Sequence, residues 1–165
     1  MQREHLDARA AHRSESGFTL IELMMVVFII AILIAVLIPV FFGAAARAKD
    51  RAMQSSLRNG LTTAKTVYSD HAKYTEANAA ALNTAAGTLT FVGGNVDPTG
   101  QNTVSVDTVS DSYIVLSGES KTGECFFVSD DALGTGTLYA KLGGSGGCRA
   151  SYAPIPGDAA WQKTW

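Results

Sequence analysis

GFTLIELMMVVFIIAILIAVLIPVFFGAAA, residues 17–46, is the stretch that determines the fold. From Leu23 to Ala46 it contains 24 residues without a charge, and 15 of the 20 residues at 23–42 are Leu, Ile, Val or Phe. A helix of 20 residues is roughly 30 Å long, which matches the hydrocarbon core of a bilayer. The stretch therefore predicts a membrane-spanning helix. A cleaved secretory signal is the alternative, but its apolar region is usually about 7–15 residues long.

The rest of the composition is ordinary for a chain of 165 residues, a length that favours one domain. Hydrophobic residues make up 47% and charged residues only 17%, with a net charge of −2. This apolar content with little net charge excludes an intrinsically disordered tail. It also gives no sign of a nucleic-acid-binding protein that works through overall basic charge.

Glu22 is an acidic residue directly at the start of the apolar stretch, between Ile21 and Leu23. An acidic residue at the centre of a spanning helix costs about 2.5–3.5 kcal/mol, and less near an end. The strongly apolar residues, at roughly −0.3 to −0.6 kcal/mol each, outweigh this cost. Taken alone, Glu22 is consistent with a residue at the water boundary, whereas a buried Glu22 would require a cationic partner.

The hexapeptide Gly17-Phe18-Thr19-Leu20-Ile21-Glu22, followed at once by a spanning segment, resembles the type IV pilin signature. The resemblance implies that a prepilin peptidase cleaves between Gly17 and Phe18 and that Phe18 becomes the methylated N-terminus. It also implies that Glu22 acts in assembly, by neutralising the N-terminus of a neighbouring subunit in a fibre. Residues 1–17 would then be a leader peptide, in which three arginines are balanced by three acidic residues.

Beyond the membrane segment, the period of a helix continues. Apolar residues spaced by three and four form one face of an amphipathic helix, at Met53, Leu57, Leu61, Ala64, Val67 and Tyr68. We therefore expect one helix from Phe18 to about Tyr74, with residues 18–46 as its membrane and assembly half and residues 47–74 as its amphipathic half. Its apolar face requires a cover, which the C-terminal part of the chain can provide.

Residues 75–165 predict a short helix within 75–87 and then an antiparallel sheet. Five short runs rich in β-branched or aromatic residues are separated by Gly-, Asp-, Asn- and Ser-rich turns, without helices between them. These runs are Leu89–Val92, Val104–Val109, Tyr113–Ser117, Cys125–Ser129 and Leu138–Leu142. The fold class is thus α+β, with the long helix packed on the sheet as in the type IV pilin fold. The tail after Pro154 is expected to be irregular and held by its aromatic residues.

Pro39 lies within the apolar stretch, and Gly43 follows one turn later. Proline in a helix interior removes a hydrogen bond and kinks the chain, a distortion that membrane helices tolerate. The resemblance suggests a more specific role, because type IV pilins carry a proline at this place. We expect residues around Pro39 and Gly43 to be a helix break that can extend inside a fibre.

Charge is distributed unevenly along the chain. Residues 47–74 carry six basic and two acidic side chains, and residues 75–165 carry four basic and nine acidic ones. The basic segment could contact anionic lipid head groups, at about 1 kcal/mol per charge, or acidic surfaces of neighbouring subunits. Positive charges flank both ends of the apolar stretch, so they leave its orientation open. The signature and the cysteines favour a leader inside the cell and a C-terminal domain outside.

Cys125 and Cys148 are the two cysteines. Such a pair in a cytosolic protein would more often be free thiols. The resemblance implies a disulfide between them that bounds a C-terminal loop. Outside the membrane, a bond closing a loop of this length would stabilise the domain by about 3 kcal/mol. The spacing does not match a C-x-x-C redox motif or a zinc site.

Signals for catalysis are weak. Gly143–Gly147 matches G-x-S-x-G only because glycine fills the run, and no helical pattern follows it. His71 is the only histidine beyond residues 1–17, which leaves no catalytic triad or metal cluster. Asp130 and Asp131 could contribute to a calcium site, although a solvated turn is the favoured interpretation.

The sequence thus predicts a structural subunit that needs no cofactor rather than an enzyme. In this interpretation it is a prepilin that a prepilin peptidase processes and that polymerises with itself through the N-terminal helix into a type IV pilus. Its other partners would be the membrane before assembly and an assembly machinery with a separate ATPase. It would move from the cytoplasmic membrane to a fibre on the cell surface. The alternatives are a pseudopilin of a type II secretion system and a membrane-anchored protein that does not polymerise.

Overall fold

The computed structural model describes residues 17–144 and 146–165, and it divides the chain into two compact units between Phe41 and Phe42. Residues 1–16 of the predicted leader lie outside the described part. The first unit contains the N-terminal part of helix α1 (Leu20–His71). The second unit contains the rest of α1 and all of the sheet. Its elements after α1 are a 3-10 turn (Tyr74–Glu76), α2 (Ala79–Ala85), β1 (Thr90–Gly93), β2 (Thr103–Thr108), β3 (Tyr113–Glu119), β4 (Glu124–Asp131), β5 (Gly136–Gly143) and a second 3-10 turn (Ala150–Tyr152).

Within the second unit, α1 buries the face that its periodicity predicts. Met53, Leu57, Leu61 and Ala64 are buried, and Val67 and Tyr68 pack partly buried against the same core. Gly60 lies among them. A Cβ added at Gly60 would stand 3.1 Å from Leu116 Cδ2 and 3.3 Å from Phe91 Cε1. This glycine therefore lowers helix propensity but lets the helix approach the sheet closely.

α1 ends at His71, slightly before the predicted end near Tyr74. Ala72 has a left-handed backbone with φ of 57°, and its N–H donates to the Tyr68 carbonyl at 2.7 Å. A left-handed residue after the last turn is a common way to end a helix, usually with glycine. The short helix predicted within 75–87 is present as α2, where the Asn78 side chain accepts a hydrogen bond from the N–H of Ala81 at 3.1 Å.

The sheet has the order β1-β2-β3-β4-β5, and each of the five predicted strands corresponds to one of them. Three pairings are antiparallel, as predicted. The expectation of a fully antiparallel sheet is wrong, because β1 pairs with β2 in parallel, with Phe91 opposite Val104. The irregular segment 94–102 returns the chain to the start of β1 before β2 begins. Parallel neighbours usually require a longer crossover with a helix, so the sequence pattern gave no sign of this one.

Both faces of the sheet are covered. Ile114, Leu116, Phe126 and Val128 point toward the core that contains α1. Their neighbours Val115 and Phe127 point to a second core with Ala140, Cys148 and Trp161. The sequence predicted only one covered face, but the C-terminal segment covers the other. The aromatic residues of the tail hold it, since the Trp161 Nε1–H donates to the Pro154 carbonyl at 3.0 Å and Trp165 packs edge-on against Phe126 at 5.1 Å.

Candidate processing and assembly site

The predicted cleavage site lies directly before α1. Gly17, Phe18 and Thr19 are not helical, and the side chain of Phe18 is 82% exposed. A Cβ added at Gly17 would meet no atom of the described residues within 4 Å. Packing against the described residues therefore does not require glycine at position 17.

Thr19 begins the helix and connects it to the predicted assembly residue. The N–H of Glu22 donates to the Thr19 Oγ1 at 3.2 Å. This bond is one half of a capping box, in which a threonine and a glutamate three residues later satisfy free N–H groups at the start of a helix. The pattern Thr19-x-x-Glu22 carries this signal in the sequence, although the prediction used Glu22 alone. Glu22 is exposed and its carboxylate is accessible to a partner.

From Leu20 to Phe42, α1 presents a large apolar surface. Its large hydrophobic side chains are between 47% and 75% exposed. Among the described residues, α1 alone is long and apolar enough, by length and composition, to cross a membrane. A continuous exposed apolar surface of this size marks contact with a membrane or with another protein.

Pro39 and Gly43 both lie inside α1. The helix is continuous through both residues in the described monomer. The predicted extension of this segment would occur in the fibre, which is a different state of the chain, so it stays a prediction.

The basic segment after Gly43 contains an acidic residue that is already engaged. Asp50 Oδ1 accepts hydrogen bonds from Ser120 Oγ at 2.6 Å and from Thr122 Oγ1 at 2.5 Å. Close by, Gln101 Nε2 donates to the Lys49 carbonyl at 3.1 Å. The turn between β3 and β4 therefore holds α1 at Asp50. The side chains of Arg47, Lys49 and Arg51 are exposed around this point.

Asp130 is part of a buried polar network between α1 and the sheet. Its side chain is buried, with 5% exposed, and it accepts hydrogen bonds from Tyr74 Oη at 2.5 Å and from Thr137 Oγ1 at 2.5 Å. It also forms an ion pair with Lys65, whose Nζ lies 2.8 Å from Asp130 Oδ1. The interpretation of Asp130 as a solvated turn is wrong, because it lies within β4 and faces α1. Burial and the hydrogen bond to Asp130 raise the pKa of Tyr74 far above its usual value, so Tyr74 remains a donor.

The predicted disulfide between Cys125 and Cys148 is present, with their Cα atoms 5.2 Å apart. The residues beside Cys148 fix the closed loop to the sheet. The Cys148 N–H donates to Asp97 Oδ1 at 3.0 Å, and Arg149 Nε donates to Asp97 Oδ2 at 2.9 Å. Ser117 Oγ donates to the Cys148 carbonyl at 2.5 Å. Asp97 lies far from both cysteines in sequence, and no local pattern identifies it.

The weak catalytic signals find no support in the part of the chain that is described. His71 Nδ1 lies 3.1 Å from the Val67 carbonyl at the end of α1. Residues 17–144 and 146–165 contain no group of three or more His, Cys, Asp or Glu side chains that could hold a metal ion. Ser145 of the Gly143–Gly147 run lies outside the described residues.

The comparisons with known proteins agree with the position of the exposed helix start. The family model of the prokaryotic N-terminal methylation motif matches residues 12–38, which include Gly17, Phe18 and Glu22. No curated protein and no solved structure matches the chain. The motif implies a membrane-anchored precursor and a structural role. The chain therefore carries the type IV prepilin signature, joined to a pilin-like α+β architecture of one long N-terminal helix and a five-stranded mixed sheet.

Proposed function

We propose that the chain is a prepilin whose processed form polymerises into a type IV pilus. The observation that carries the proposal is the methylation motif at residues 12–38 on a helix whose apolar surface is exposed from Leu20 to Phe42. Such a surface can be covered by lipid before assembly and by the same helix of other copies after it. The function is structural, and the work of assembly belongs to a separate ATPase.

Processing would occur between Gly17 and Phe18. This peptide bond precedes α1, and Phe18 is largely exposed, so a peptidase on the cytoplasmic side of the membrane can reach it. Packing against the described residues does not require glycine at position 17, which supports recognition of Gly17 by the peptidase. The new ammonium group at Phe18, which the same enzyme methylates, would lie about one helical turn from Glu22.

Glu22 would then act in assembly. Once sister helices replace water, its carboxylate needs a cationic partner, and the N-terminus of a neighbouring copy provides one. Because every copy carries one such carboxylate and one such ammonium group, the pairing would fix the register between neighbours. The mature subunit would leave the cytoplasmic membrane and become part of a fibre on the cell surface.

A pseudopilin of a type II secretion system is the second candidate, because the methylation motif fits it equally well. The disulfide-bounded loop and the size of the C-terminal domain favour the pilus. The two assignments predict different observations. Filaments of a pilus can be sheared from the cell surface, whereas loss of a pseudopilin stops the secretion of exported enzymes.

The deciding experiment is microscopy and mass spectrometry of filaments sheared from cells that express the chain. We expect filaments made of this chain, beginning with N-methylated Phe18. Gly17→Val should leave a full-length precursor in the membrane. Gly87→Val is the matched control, because a Cβ added at Gly87 also meets no atom within 4 Å, and it should be processed normally. Normal cleavage of Gly17→Val, or filaments built from unprocessed chains, would contradict the proposal.

A further inference from the structure

Three exposed basic side chains follow shortly after the apolar stretch of α1. The stretch ends at Phe42, and Arg47, Lys49 and Arg51 lie within the next turns of the same helix. Five residues of helix span about 7.5 Å, so Arg47 lies about this far beyond Phe42 along the helix axis. The head-group layer on each side of a bilayer is roughly 5–8 Å thick. The basic residues therefore begin at the depth of the lipid phosphates.

The side chain of Arg47 reaches back toward the apolar stretch. A Cβ added at Gly43, one turn earlier, would stand 3.7 Å from Arg47 Nη1. Side chains on a helix lean toward its N-terminus, and Gly43 has no side chain that would compete for this place. Arg51 lies one turn after Arg47, and the same lean directs it toward the boundary of the membrane.

The positive charges of this segment are not neutralised by ion pairs. None of the ion pairs in the described part of the chain includes Arg47, Lys49 or Arg51. The acidic residue among them is Asp50, whose Oδ1 already accepts hydrogen bonds from two hydroxyl groups of the turn between β3 and β4. Like charges four residues apart, such as those of Arg47 and Arg51, destabilise a helix. An anion bound between them would remove this repulsion.

The three basic side chains also lie on different sides of the helix. At 3.6 residues per turn, Arg51 is about 40° from Arg47 around the helix axis, whereas Lys49 is about 200° from it. A neighbouring subunit would contact one side of the helix, but lipid head groups surround a helix that spans a membrane. This distribution favours lipid over the acidic surface of a second copy, which is the other partner that the charge pattern allows.

We propose that Arg47 and Arg51 bind the phosphate groups of anionic phospholipids while the chain is in the membrane, with Lys49 doing so on the opposite side of the helix. A guanidinium group can donate two parallel hydrogen bonds to one phosphate. Anionic lipids also have the net negative charge that zwitterionic lipids lack. These contacts would fix the depth of α1 in the membrane. The inference rests on the membrane anchor of the proposed function, but not on cleavage or polymerisation.

The test uses the full, unprocessed chain in phosphatidylcholine vesicles at low salt. Electron paramagnetic resonance of spin-labelled lipids measures how strongly phosphatidylglycerol and phosphatidylcholine associate with the protein. Because one basic residue near an anionic surface contributes about fivefold in association (about 1 kcal/mol), the wild type should prefer phosphatidylglycerol by about fivefold or more. Replacing both Arg47 and Arg51 by glutamine should make the association of the two lipids nearly equal. The wild type would overturn the proposal if it associated equally with both lipids.

The matched control removes the same charge elsewhere, by Lys73→Gln combined with Lys163→Gln. Both lysines are exposed. Lys73 follows the end of α1, and Lys163 donates to the Thr135 carbonyl in the turn between β4 and β5. This control should keep the preference of the wild type. Equal loss of preference in the control and in the double arginine variant would refute the assignment to Arg47 and Arg51.

Two further measurements keep the proposal open to refutation. If the double arginine variant fails to fold, the salt dependence of the wild type decides, because the Debye length falls from about 30 Å at 0.01 M to about 3 Å at 1 M. The preference for phosphatidylglycerol should then fall toward equality, and a constant preference would contradict the proposal. If the variant folds, keeps its lipid preference and loses energy transfer between labelled copies in neutral vesicles, the arginines contact a second copy and the proposal is wrong.

Discussion

The ion pair between Lys65 and Asp130 allows a direct test of how α1 is held against the sheet. Lys65→Met keeps the aliphatic part of the side chain but removes the ammonium group 2.8 Å from Asp130. The carboxylate would remain buried with the hydroxyl groups of Tyr74 and Thr137. Removing one partner of a fully buried pair costs about 3–5 kcal/mol. Because Lys65 is 47% exposed and two donors remain, we expect a loss of about 2 kcal/mol in the free energy of unfolding at pH 7.

The dependence on pH gives this prediction a second, independent readout. Burial by itself raises the pKa of Asp130, but hydrogen bonds from Lys65, Thr137 and Tyr74 outweigh it and hold the pKa below the usual value. A carboxyl group with a lowered pKa in the folded state contributes stability above its unfolded pKa, and this contribution is lost as the pH falls through the folded pKa. The difference between wild type and Lys65→Met should therefore shrink as the pH falls below about 4.

The assay is denaturant or thermal unfolding of the full chain in detergent, followed by the fluorescence of Trp161 and Trp165. A loss of about 2 kcal/mol corresponds to a fall of roughly 6–10 °C in Tm. Lys141→Met is the matched control, because its ion pair with Glu124 is long, at 3.6 Å, and exposed, and should contribute less than about 0.5 kcal/mol. The reasoning fails if the two variants lose the same stability at pH 7, or if the deficit of Lys65→Met stays constant down to pH 3.

Three further outcomes follow from the other described residues. Glu22→Val should be cleaved normally but assemble poorly, as seen in the yield of sheared filaments, and a normal yield would contradict the pairing with a neighbouring N-terminus. Replacing Cys125 and Cys148 by serine should lower the free energy of unfolding by about 3 kcal/mol, measured against the oxidised wild type, and an unchanged Tm would exclude a stabilising role for the bond. Pro39→Ala should give fibres that stretch less under load in an optical trap, and equal stretching would remove the basis for a helix break there.

The sequence predicted the parts of the fold that depend on local pattern. The apolar run and the spacing from Met53 to Tyr68 predicted α1, and short β-rich runs between turns predicted the five strands. The signature Gly17–Glu22 lies within six neighbouring residues, and it placed the start of the helix at Phe18, two residues before the observed start at Leu20. These features need no knowledge of distant contacts.

The remaining features depend on residues that are far apart in the chain. Lys65 and Asp130 meet only when β4 packs on α1, so Asp130 was interpreted as part of a turn. Asn83 forms hydrogen bonds with the main chain of Phe91. Because these main-chain groups are the same in almost every residue, the sequence at Phe91 gives no sign of the contact. The parallel pairing of β1 with β2 results from the path of the irregular segment between them. Hydrophobic periodicity indicates helices and strands, but it gives no information on the path of such a segment.

The contact at Asp50 has a mechanical consequence for a subunit that is pulled along its helix. Both hydroxyl groups that bind Asp50 come from one turn of the sheet, at Ser120 and Thr122, so a load on the helix within the second unit reaches the sheet there as shear. Farther along, the buried side chains from Met53 to Ala64 and the ion pair of Lys65 with Asp130 take the remaining load. An Asp50→Ala subunit should consequently keep its equilibrium fold but lose it at lower force, with the helix sliding along the sheet as the first step of failure.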